Sequence, residues 1–160
     1  MNELPRTFKL VTVWLLLGTA VFIGMQHLLR ERSQPRVMVS DGVVTLDRAG
    51  DGHYHWPGRI NGQAVSFLID TGATRTTLPG SLARELGLPR GATVRTQTAA
   101  GPATGYTTTI DLLLDGGPSA RRLPVTVMET MEGPPLLGMD LLGLLRIEQG
   151  QGRMRLAPPS

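Results

Sequence analysis

Hydrophobic positions fall into two regimes along this chain. From Leu10 to Met25 they are almost continuous, broken only by Thr12, Gly18, Thr19 and Gly24. With Phe8, Leu28 and Leu29 the run covers residues 8–29, and about 20 apolar residues is the length of a bilayer-crossing helix. No polar face interrupts it, which argues against a buried helix of a globular domain. Lys9 at its start can snorkel to an interface. A secretory signal peptide has the same basic start and apolar middle. However, Gly18-Thr19-Ala20 is a poor cleavage site inside the run, and no small-x-small pattern follows it. The reading is an uncleaved, single-pass anchor over residues 1–30. A polar linker with Pro35 follows over 31–40, and one domain over 41–160.

Beyond the linker, apolar positions come in short segments separated by Gly, Pro and Asp. Val43–Leu46 is a strand candidate after the Asp41-Gly42 turn signal. His53–Trp56 and Arg59-Ile60 flank a Pro57-Gly58 turn signal, and Asn61-Gly62 is a strong tight-hairpin signal. Gln63–Ile69 reads as a strand. So do Thr93–Thr98 and Tyr106–Leu114, rich in Thr and Val, then Leu123–Met128 and Met154–Leu156. Two short helices are expected. Ser81–Leu86 has Ser81 as its cap and Gly87 as its stop, and Met139–Leu144 starts after Gly138. No internal repeat is visible. Regular short strands with one or two helices predict an all-β fold closed into a barrel.

Charge changes the picture only at the N-terminus. The formal net charge is +3 and the pI about 10.2, which invites a nucleic-acid reading. Yet residues 1–36 hold five basic side chains against two acidic ones, while residues 37–160 balance 11 Arg against 11 acids. The basic excess flanks the apolar run, as at a membrane, and is no polyanion footprint. Aromatics are only 4%, too few for base-stacking platforms. Cys is absent, which excludes disulfides, thiolate nucleophiles and cysteine-zinc sites. His53 and His55 share one face of an extended segment. With no third ligand in view they read as structural or surface residues, so neither a metal nor a cofactor is expected.

One stretch carries chemistry. The apolar strand Val65–Ile69 runs into Asp70-Thr71-Gly72-Ala73-Thr74, and Leu78 follows. Glycine lets the backbone turn sharply beside the carboxylate, and a Thr hydroxyl can hold the loop. Asp-Thr-Gly alone is weak evidence, because Asp and Gly are ordinary turn residues. Downstream, Leu136-Leu137-Gly138 leads into Met139-Asp140-Leu141-Leu142. Two apolar residues, a glycine and an apolar helical start form a second half-signature.

Together these stretches resemble the retropepsin-like (retroviral-type) aspartic proteases, and most of all their membrane-anchored bacterial branch. The likeness runs from about Gly52 to about Leu156 and takes in Gly52-His53-Tyr54 and Gly58-Arg59-Ile60-Asn61-Gly62. It implies an acid-protease barrel, one lobe per subunit, that hydrolyses peptide bonds. A water would be activated between two Asp70 carboxylates. Two such carboxyls about 3 Å apart cannot both ionise and share one proton. Since the chain holds a single Asp-Thr-Gly, the resemblance implies a homodimer.

The likeness also assigns roles within the loop. Thr71 would bond across the dimer, Gly72 lie against the substrate backbone, Ala73 line the cleft and Thr74 point to substrate. It implies a flap within Thr96–Thr109, tipped by Ala99-Ala100-Gly101, and a location at the cytoplasmic (inner) membrane with the protease domain periplasmic. Many retroviral members pair an acid at the Thr74 position with an Arg after the downstream Gly. Here Thr74 and Met139 stand there, so that ion pair is absent. A second reading keeps the fold and drops the chemistry, giving a non-catalytic module that holds a partner peptide or scaffolds a membrane complex. A third is a small-molecule or lipid-binding barrel.

Overall fold

The computed structural model describes residues 6–32, 37–98 and 101–159. Backbone proximity divides the chain into Met1–Gln34 and Pro35–Ser160. The first unit holds helix α1 (Arg6–Arg32), in which residues 10–25 are all exposed. Among the described residues no helix is long and apolar enough to cross a membrane. The expected anchor therefore gains no support from the structure.

The second unit is all-β with two short helices. A four-stranded antiparallel sheet has the order β1 (Val37–Ser40), β2 (Val43–Asp47), β11 (Arg153–Ala157), β10 (Arg146–Gly150). Val37–Ser40 thus forms a strand where the sequence suggested linker. A seven-stranded sheet has the order β3 (His55–Ile60), β4 (Gln63–Ile69), β9 (Leu136–Leu137), β5 (Thr77–Pro79), β8 (Ser119–Met128), β7 (Gly101–Leu114), β6 (Thr93–Thr98). A further pairing of β3 with β7 closes six of its strands into a barrel and leaves β6 as an outlying strand paired with β7.

Local chemistry explains the hairpins. Asp41-Gly42, Asn61-Gly62 and Gln151-Gly152 all take positive φ at both positions. That is the primed turn whose twist suits a two-residue hairpin. Inward positions then alternate: Val44 and Leu46 on β2, Phe67 and Ile69 on β4, Met154 and Leu156 on β11 are all buried. They join one core with Trp56, Leu78, Ile110, Val125, Leu137 and Leu142. Trp56 is fully enclosed and donates its indole N–H to the Asp115 carbonyl at 3.0 Å.

The expected Pro57-Gly58 turn does not occur, for β3 runs straight through it. Pro57 opposes Ser66 on β4, and its carbonyl accepts the Asp115 N–H at 3.0 Å. Its missing donor therefore falls on the β7 side, where pairing begins only at Gly58. Gly58 is needed for space. A Cβ there would lie 2.5 Å from the Leu113 carbonyl oxygen and 3.2 Å from Leu114 Cα. The strands that close the barrel touch at that point.

Helix α2 (Gly80–Glu85) is capped at Pro79 with no side-chain bond, so Ser81 lies in its first turn and is not its cap. Its C-terminus ends as expected. Gly87, at φ 62°, and Leu88 donate their N–H groups to Arg84 and Ala83, the paired bonds of a Schellman stop. Helix α3 spans only Met139–Leu142, two residues shorter at its end than expected.

Replacing Gly58 by Ala should destabilise the fold by about 1–3 kcal/mol, the usual cost of overpacking a tight contact. Denaturant unfolding of the variant against the parent chain measures this.

Candidate active-site loop

Asp70 is held from both sides of β4. The Ile69 N–H donates to the Tyr54 carbonyl at 2.9 Å, and the Asp70 N–H to the Leu137 carbonyl at 3.1 Å. Leu136-Leu137 form β9, parallel to Leu68-Ile69. The two half-signatures, far apart in sequence, are therefore neighbours in the sheet. Past Asp70 the chain turns at once. The Gly72 N–H donates to Asp70 Oδ1 at 2.8 Å and the Ala73 N–H to the Asp70 carbonyl at 3.2 Å. A Cβ on Gly72 would lie 3.2 Å from that same Oδ1, so the turn is tight against the carboxylate. Asp70 and Ala73 are half-buried, while Thr71, Gly72 and Thr74 are exposed.

The loop is tied down by α3. The Ala73 carbonyl accepts the Met139 N–H at 2.8 Å, and the Thr74 carbonyl accepts the Asp140 N–H at 3.2 Å. Two N–H groups at a helix start, which would otherwise lack partners, find them in the loop. Gly138 makes this possible. A Cβ there would fall 2.4 Å from the Arg75 carbonyl carbon and 2.7 Å from the Thr76 nitrogen. Only glycine lets β9 pass beneath the loop. Thr74 and Met139, neither of them charged, are thus joined to the opposite segment by backbone bonds.

Asp140 is the residue that sequence reasoning missed. Its carboxylate accepts the Thr76 N–H at 3.0 Å and the Thr76 hydroxyl at 2.9 Å, across 64 positions, and also the Leu141 N–H at 3.1 Å. Thr76 is wholly buried. Its Oγ1 in turn accepts the Gly138 N–H at 3.3 Å, and its carbonyl accepts the Thr126 N–H of β8 at 3.1 Å. The available signal was a short-chain acid just inside a helix start, following the Leu-Leu-Gly turn.

The remaining expectations divide. Gly101 opens β7 and pairs with Thr98 of β6, so a hairpin stands where the flap was expected. Ala99 and Ala100 lie outside the described residues. His53 and His55 do not converge on a metal site; among the described residues no group of three or more His, Cys, Asp or Glu is arranged to hold one. Instead they serve Asp51, whose carboxylate accepts the His53 N–H at 2.9 Å and lies 2.7 Å from His55 Nε2. These bonds hold the Asp51 carboxyl below its ordinary value, the His53 N–H acting most strongly.

The chain is similar to known proteins in family and fold. Residues 56–143 match the family described as "gag-polyprotein putative aspartyl protease". Among solved structures, a retropepsin-like aspartic protease from Rickettsia conorii superposes with a TM-score of 0.58 at 20% identity. That match covers 77% of this chain and 94% of the other. The EIAV protease, complexed with the inhibitor HBY-793, matches at 21% identity with a TM-score of 0.47, over 56% of this chain and 84% of its own. No curated protein matches the chain.

Asp140→Ala should strand the buried Thr76 N–H and destabilise the fold by about 2–4 kcal/mol, since bonds to a charged acceptor are lost together. Asp140→Asn keeps an acceptor oxygen and should cost less than half as much. Thermal unfolding of both variants decides it; equal stability of Asp140→Ala and the parent chain would show that the tie is dispensable.

Proposed function

The chain belongs to the retropepsin-like aspartic protease family, and from that premise we propose that it is an aspartic endopeptidase acting as a homodimer. The observation that carries the reading is the loop itself. Asp70 ends a strand at the meeting of two half-signatures, braced by its own turn and by α3. Binding alone would not call for a carboxylate fixed in this way, which weighs against the non-catalytic module. In the proposed reaction, one Asp70 takes a proton from a water while Asp70 of the partner subunit, protonated, polarises the scissile carbonyl. The water adds to the carbonyl carbon. The carbon–nitrogen bond then breaks as the amine leaves with a proton. No metal or covalent intermediate enters the scheme.

Other assignments are carried by the family premise. Thr71, exposed beside Asp70, would bond across the dimer. Gly72, Ala73 and Thr74 would face an extended peptide, and the β6–β7 hairpin with Ala99, Ala100 and Gly101 would close over it. One Asp-Thr-Gly per chain requires two chains per site.

We further propose a location at the cytoplasmic membrane, with the protease domain on its outer side. Support comes from the sequence, in the apolar residues 8–29 between basic flanks.

Asp70→Asn should lower cleavage of a mixed peptide library by at least about 10³-fold, the scale of a lost general base, with unfolding unchanged. Equal cleavage by both proteins would remove Asp70 from the mechanism. For the anchor, the full chain should stay with membranes after an alkaline wash, whereas a chain lacking residues 1–36 should be released. Release of both would exclude anchoring.

A further inference from the structure

One cation stands beside the Asp70 loop with nothing to pair with. Arg75 is the only charged side chain between Asp70 and Arg84. It continues the exposed run of Thr71, Gly72 and Thr74, whereas Thr76 after it is wholly buried. Among the described residues no hydrogen bond or ion pair engages the Arg75 guanidinium. The next cations along the chain are engaged, since Arg84 and Arg90 both bond Glu129, at 3.1 and 2.6 Å.

The backbone around Arg75, by contrast, is fixed on every side. The Thr74 carbonyl before it accepts the Asp140 N–H at 3.2 Å. The Thr76 N–H after it donates to the Asp140 carboxylate at 3.0 Å. Its own carbonyl accepts the Thr77 hydroxyl at 3.0 Å, and a Cβ on Gly138 would lie 2.7 Å from that carbonyl oxygen. Arg75 is therefore carried on the support that also ties down the Asp70 loop.

A charge on a pre-ordered backbone is cheaper to bind, because the segment around it needs no further ordering. A guanidinium is always charged, is weakly hydrated and holds its donors in a fork that matches a carboxylate. The fold offers this one no carboxylate, and an exposed unpaired cation adds little to stability. On the function proposed above, an extended peptide crosses this face over Gly72, Ala73 and Thr74. A two-fold dimer then sets one Arg75 on each side of the scissile bond.

We propose that Arg75 is a specificity-determining residue, selecting peptides that carry Asp or Glu on both sides of the bond to be cut. This deepens the proposed function and rests on it for the path of the peptide. One substrate carboxylate accepts N–H bonds from Arg75, and a second accepts them from Arg75 of the partner subunit. A basic residue at either place meets a like charge. Each pair at a solvent-accessible site is worth up to about fivefold, so acids on both sides are worth up to about 25-fold. Added salt weakens both pairs.

Three peptide pools test this with the full-length chain in mild detergent, above about pH 5.5, where free Glu is ionised. Each pool has a randomised centre flanked on both sides by Glu, by Gln or by Lys. At low salt the parent chain should cleave the Glu pool at least about fivefold faster than the Gln pool, and the Lys pool slowest. Arg75→Ala should bring the Glu and Gln pools within about twofold of each other. Arg75→Glu should put the Lys pool first. A merely structural role would slow all pools alike and leave their ratios unmoved. Equal cleavage of the Glu and Gln pools by the parent chain, or a Glu advantage that survives Arg75→Glu, would overturn the proposal. Binding of the same pools to Asp70→Asn, read by fluorescence anisotropy, separates this proposal from the protease reading. Tighter binding of the Glu pool, lost in Asp70→Asn/Arg75→Ala, with no cleavage by the parent chain, removes the protease and keeps the Arg75 site. Cleavage abolished by Asp70→Asn, with the three pools cut equally by the parent chain, removes the site and keeps the protease. No cleavage together with equal binding removes both.

Discussion

The carboxylate of Asp140 organises the second unit around Asp70. It takes three donors, from the Thr76 backbone, the Thr76 hydroxyl and Leu141. Through Thr76 it reaches β8, and through its own N–H it reaches Thr74. Removing a carboxylate from water is costly, and here several short bonds offset that cost at once. Asp70 itself is placed by backbone bonds at the end of β4, to Tyr54 through Ile69 and to Leu137 directly, and its side chain accepts the Gly72 N–H of its own turn. One acid holds the scaffold so that another can be presented.

Such a scaffold must be stiff, and the stiffness comes from closeness. Where β3 meets β7 at Gly58, and where β9 passes beneath Arg75 at Gly138, backbone touches backbone. These are points where no side chain fits, so a substitution shifts strands instead of rotamers. The first contact closes the barrel and the second sets the height of the loop. The core side chains Trp56, Phe67 and Leu137 are fully buried. Burial supplies the driving force, and the glycines decide how near the strands come.

Legibility in the sequence followed the range of the interactions. Asn61-Gly62 was readable because a primed turn is decided by its own two residues. The Gly87 stop was readable for the same reason. Pro57-Gly58 misled because that dipeptide is a local turn signal, while its true role is set by β7, over 50 residues away. The strands β5 and β9 are three and two residues long and exist only through each other and through β4 and β8. No periodicity can reveal a segment so short. Val37–Ser40 read as linker because its pairing with β2 gives it form, its own residues being mostly exposed. The Asp70 loop and the Leu136-Leu137-Gly138 turn were legible as patterns. Asp140 was not, because an acid in the first turn of a helix already has an electrostatic reason to be there.

A division of labour follows within the proposed enzyme. The core, the barrel closure and the four-stranded sheet are all complete within one chain. Folding therefore makes no demand on a second copy, unlike an obligate dimer whose protomers lack a core of their own. The chemistry does make that demand, because a single chain offers one Asp-Thr-Gly. Activity should then track the concentration of folded chains and not the folding equilibrium. Confinement to a membrane, as proposed for this chain, would raise that concentration without adding a contact. On the proposed reading, a stable protomer is inactive when dilute and completes its site when crowded.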